Sequence, residues 1–88
     1  MRKVWKYSFD VTDTVRIKLP KGAEIIKVRG NGYAGLLWCL VDPDAPLEER
    51  EFIVVGTGVE FDTSGLWHIG TLFCAELVWH IFERVSDE

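Results

Sequence analysis

Asp42 and Asp44 stand as Asp-x-Asp, with Glu48 and Glu49 close behind. Clustered carboxylate oxygens are what a hard cation such as Mg²⁺ or Ca²⁺ requires. The spacing is not that of a helix–loop–helix calcium loop, which needs Gly at its sixth position and Glu at its twelfth. Pro43 and Pro46 also stiffen the segment against wrapping an ion, so a solvated turn is the expectation. His68 and His80 are the other metal-competent pair, and two histidines without a third ligand make a poor zinc site. Cys74 adds a thiolate only if it faces the same side. A two-residue connection at Ala75-Glu76 pairs Thr71 with His80 and offsets the histidines; a tight loop centred on Cys74 sets them opposite each other. Gly56-Thr57-Gly58 lacks the Lys-Ser/Thr of a phosphate loop, the third glycine of a dinucleotide fingerprint and a following helix, which leaves a strand-end turn or bulge. Ser8, Ser64 and Ser86 lack the Gly-x-Ser-x-Gly context of a nucleophile elbow. No catalytic residue is assigned, no cofactor is expected, and the chain reads as a non-enzyme.

Binding chemistry is better represented. Lys18, Lys21, Lys27 and Arg29 gather in the first half, and with Tyr33 as a stacking partner they form a candidate site for a small anionic ligand. Acidic residues dominate from Asp42 onward, and the net charge of −4 opposes non-specific binding to a phosphate backbone, so nucleic acid is disfavoured as a partner. Trp38, Trp67, Trp79 and His80 are the candidate interface residues. The chain is 48% apolar and has four tryptophans, more large apolar surface than a small domain readily buries, and a second copy of the chain offers one way to cover it.

These residues are positioned by short strands. Trp5, Tyr7, Phe9 and Val11 alternate with Lys6, Ser8 and Asp10, the period of two that marks a strand with one apolar and one wet face. That strand runs from Val4 to Val11, and the pattern returns from Thr14 to Leu19 and from Glu24 to Arg29. Asn31-Gly32 predicts a hairpin with a type I′ turn. Leu36 to Val41 is apolar without alternation, which predicts a central strand covered on both faces. A short turn over Glu48-Glu49-Arg50 precedes a strand from Glu51 to Val55, and Val59 to Phe61 reads as a brief extended piece. Leu66 to Cys74 and Leu77 to Val85 form the last pair; Val78, Trp79 and Ile81 favour strand over helix there. About seven short strands predict a single all-β domain over 1–88, an antiparallel sandwich or partly open barrel. Cys39 and Cys74 lie in apolar runs and read as reduced core thiols. The opening Met-Arg-Lys-Val-Trp-Lys has no apolar stretch of a secretory leader behind it, and no run is long and apolar enough to cross a membrane, so a cytoplasmic location is expected.

Val4-Trp5-Lys6-Tyr7, Leu19-Pro20-Lys21-Gly22-Ala23-Glu24-Ile25, Leu40-Val41-Asp42-Pro43-Asp44 and Leu77-Val78-Trp79-His80-Ile81-Phe82-Glu83 are distinctive blocks. Together they resemble a family of small bacteriophage and prophage proteins known only as a domain of unknown function. The resemblance covers nearly the whole chain and implies a phage-encoded protein acting in a bacterial host cell; it supplies no activity and no site residues. The expectation is a non-enzymatic accessory protein that self-associates and binds a host protein. A binder or sponge for a nucleotide signal of bacterial immunity is the alternative, and a metal-dependent protein using His68, His80 and Asp42 is a third.

Overall fold

The computed structural model describes residues 1–85; Ser86, Asp87 and Glu88 lie outside the described residues. Seven strands form: β1 (Lys3–Asp10), β2 (Thr14–Pro20), β3 (Glu24–Asn31), β4 (Ala34–Val41), β5 (Leu47–Gly56), β6 (Leu66–Cys74) and β7 (Leu77–Arg84). They make two antiparallel sheets, one ordered β1-β4-β3 and the other β2-β5-β7-β6. The fold is therefore the expected small all-β sandwich, not a closed barrel.

The alternation in β1 and β2 sends Phe9, Val15 and Leu19 inward. They meet Leu37, Cys39 and Val41 from β4, Phe52 and Val54 from β5, and Leu72 and Ile81 from β6 and β7. Burying each large apolar side chain contributes roughly 1.5–3 kcal/mol, and this layer between the sheets holds the fold together. Trp79 packs against the same cluster. It belongs to the core, unlike its neighbour His80, which faces the other way on β7.

Three local expectations change. Glu48, Glu49 and Arg50 are strand, not turn, because β2 pairs with them: Lys18 stands opposite Glu49 and Arg16 opposite Glu51. Charges on a solvated face mimic a turn in sequence, yet opposite charges across a ladder support pairing. Val59 to Phe61 forms no strand. The hairpin between β3 and β4 centres on Gly32-Tyr33, since Asn31 already pairs with Ala34. Gly32 has φ +65 and is the glycine a type II′ turn needs at its first central position. The β6–β7 connection is the two-residue Ala75-Glu76 loop, and Thr71 accordingly faces His80.

The sheets meet along β3 and β6. Gly30 lies against the Phe73 carbonyl, Gly70 against Val28, and the Ala75 N–H donates to the Gly32 carbonyl at 2.9 Å. These pairs advance together in number, so the two strands run in the same direction where they touch. A Cβ at Gly30 would sit 1.5 Å from the Phe73 oxygen, a distance no side-chain adjustment relieves. Gly30→Ala is expected to lose about 3 kcal/mol or more, or to fail to fold, by urea denaturation. A midpoint equal to wild type would show that the seam is not built this way.

Candidate functional site

Inward and outward positions alternate along β4: Gly35, Leu37, Cys39 and Val41 are buried, while Ala34, Leu36, Trp38 and Leu40 are only half-buried. The second set forms an apolar stripe down the middle of the outer face of the three-stranded sheet. Cross-strand partners set its borders. Lys6 and Lys27 flank Trp38, Ser8 and Arg29 flank Leu36, and Val4 and Glu24 flank Leu40. A bulge between Ile25 and Lys27 leaves Ile26 55% exposed beside the stripe. The Lys27 ammonium lies 5.7 Å from the Trp38 ring centroid, within range of the ring quadrupole. This surface is apolar at its centre and basic at its sides. The unbroken apolar run of this strand predicts cover on both faces; the strand is central, and one face is only partly covered.

The outer face of the four-stranded sheet is dressed by its own chain. Phe61, in the loop after β5, sits with its ring centroid 5.0 Å from that of Phe82, and His68 meets Phe82 edge-on at 5.2 Å. Thr57 hydrogen-bonds His80 Nε2 at 2.8 Å, and Thr71 approaches its Nδ1 at 3.2 Å. Glu51 takes Arg84 at 2.7 Å and Arg16 at 3.1 Å. The Arg84 hydrogen bond, helped by Arg16, holds the Glu51 carboxyl below the usual range.

At one end of the sandwich, an open recess of about 590 Å³ is lined by Ala23, Glu48, Arg50, Trp67, Glu83 and Arg84. Arg50 grips Glu83 with Nε at 2.5 Å and Nη2 at 2.7 Å, and its Nη1 donates to the Ala23 carbonyl. The bidentate bond to Glu83 raises the Arg50 pKa further. No motif in the sequence announces this pair. Its signal was phase: Arg50 shares the inward phase of buried Phe52 and Val54, and Glu83 that of Ile81. Nearby Cys39 is buried, which pushes its thiol up to about 11 despite Arg50. A thiol held protonated at neutral pH is a poor nucleophile.

The remaining candidates are dispersed. Lys18 lies on β2 and Lys21 in the turn after it, whereas Lys27 and Arg29 share the outer face of β3. Tyr33 is 85% exposed in the hairpin, and Trp67 projects at the recess. Asp42 accepts the Asp44 N–H at 3.0 Å within a turn. Among the described residues, no three His, Cys, Asp or Glu side chains group as metal ligands. No helix there is long and apolar enough to cross a membrane.

Residues 1–88 match the family described as Domain of unknown function (DUF7352), and the chain belongs to that family. No curated protein matches it. No solved structure matches it either.

Removing one member of a partly buried ion pair strands the other. Arg50→Met is expected to cost about 2 kcal/mol or more in chemical denaturation, and Arg50→Met with Glu83→Leu to recover most of that loss. Equal stability of all three proteins would show that the pair is idle.

Proposed function

For this family member we propose a non-enzymatic, phage-encoded accessory role in a bacterial host, exercised by self-association and by binding a host protein. The observation that carries this reading is the outer face of the three-stranded sheet. Leu36, Trp38 and Leu40 remain half-buried, with Val4 and Ile26 exposed beside them. Protein interfaces are built this way, with an apolar and aromatic centre inside a polar rim. Lys6, Lys27 and Arg29 provide a basic rim, which suits an acidic partner surface. On the opposite outer face Phe61 packs on Phe82, so part of that face is covered by its own chain.

Affinity capture from bacterial lysate, quantified by mass spectrometry, tests the reading. Proteins retained by wild type should drop at least tenfold with Leu36→Glu and with Trp38→Glu, given about 1–2 kcal/mol per interface aromatic or more. The melting temperature of each variant controls for folding. Identical capture by folded variants and wild type would overturn the assignment of this face.

One feature favours a second reading. Lys27 and Arg29 stand beside Trp38 on one face, cations next to an indole, a combination suited to a nucleotide phosphate and base. Under that reading, a cyclic or linear nucleotide raises the melting temperature, and Lys27→Glu abolishes the rise. No shift across a broad nucleotide panel would remove it.

A further inference from the structure

Four strands border the two sheets. β3 and β6 pack against each other at the seam, and β1 and β2 are the borders on the far sides of the two sheets. A free edge carries unpaired N–H and C=O groups and is a template for a further strand. Natural edges are protected by charge and proline, and the two edges here differ in that protection.

On β2, self-pairing is opposed. An antiparallel strand pair must match like faces, because side chains and edge-directed backbone groups both alternate with a period of two. Centring β2 on Ile17 sets Arg16 against Lys18, and centring it on either cation sets that residue against itself. Pro20 also lacks the N–H a ladder uses. On β1 the result depends on register. Centring on Lys6 opposes two lysines, and centring on Tyr7 gives Lys6 one like and one unlike diagonal neighbour. Centring on Ser8 sets Lys6 against Asp10 of the second copy, twice by symmetry. The same register lays Phe9 across from Tyr7, and Trp5, which is 38% exposed at this edge, across from Val11.

We infer that β1 is the self-association site, pairing antiparallel with β1 of a second copy about a two-fold axis at Ser8. This rests on the self-association part of the proposed function and names its surface. The dimer is closed and isologous. Its two three-stranded sheets become one continuous sheet, so the Trp38 stripes of both copies lie on one face.

Sedimentation equilibrium of the full chain tests it by charge reversal. Lys6→Asp and Asp10→Lys each place two like-charge pairs in the dimer and should weaken it about tenfold, whereas the double swap restores both pairs and should bring affinity back to within about twofold. Ser8→Cys, which faces its own copy across the axis, should give a covalent dimer on mild oxidation; it keeps the test decisive if a charge variant fails to fold. A wild-type dimer unaffected by either single reversal overturns the β1 assignment and leaves self-association standing. Growth into open chains also overturns the closed pair. A wild-type monomer at about 1 mM overturns this inference and the self-association reading together.

Discussion

The contact between Gly30 and the Phe73 carbonyl is made by backbone alone, and most of the architecture follows from it. Strands can approach this closely only where one of them lacks a side chain. Once β3 and β6 are fixed against each other, the two sheets fold over the core. The inward faces of β4 and β5 then become the two walls that Leu37, Cys39, Phe52 and Val54 fill.

The Arg50–Glu83 pair plays a complementary part at the open end of the core. Arg50 holds Glu83 on β7 and, through the Ala23 carbonyl, the turn by which the chain crosses from β2 to β3 and so from one sheet to the other. A guanidinium with its donors directed to fixed acceptors is a more specific tie than an apolar contact, because it tolerates only one relative placement of the three segments. It also ends the apolar interior next to Cys39, where the buried core gives way to the open recess.

Much of the fold was legible in the sequence, and the reason differs by element. β1 and β2 declare themselves through alternation, because each has one wet face. β7 is readable through the branched and aromatic run Val78, Trp79 and Ile81, although Leu77 and Ile81 share a helical phase as well. The first half of β5 was not legible: Glu48, Glu49 and Arg50 resemble a loop until the partner strand supplies Lys18 opposite Glu49 and Arg16 opposite Glu51. The hairpin site was found, but its central residues moved by one, because strand pairing extends to Asn31 and leaves Gly32 to turn the chain. Of the candidate interface residues, Trp38 and Trp79 look alike in sequence, each in an apolar run. Only the pairing of strands shows that Trp79 packs on the core while Trp38 looks outward. The separation of Lys18 and Lys21 from Lys27 and Arg29 was equally hidden, since the chain changes sheets between them.

The order β2-β5-β7-β6 has a kinetic meaning. Two of the ladders, β3 with β4 and β6 with β7, join neighbours in sequence and close over short loops, on the microsecond scale of hairpins. The others need distant segments to find each other, which makes the topology intrinsically slow. β5 cannot gain its second neighbour until β7, the last of the described strands, has arrived as half of a hairpin. Until then it presents Phe52, Ile53, Val54 and Val55 along an unpaired border, a short branched and aromatic segment of the type that forms intermolecular sheets. The interval before that hairpin docks is when the growing chain is most exposed to aggregation, and it ends when β7, already paired with β6, adds along the open border of β5.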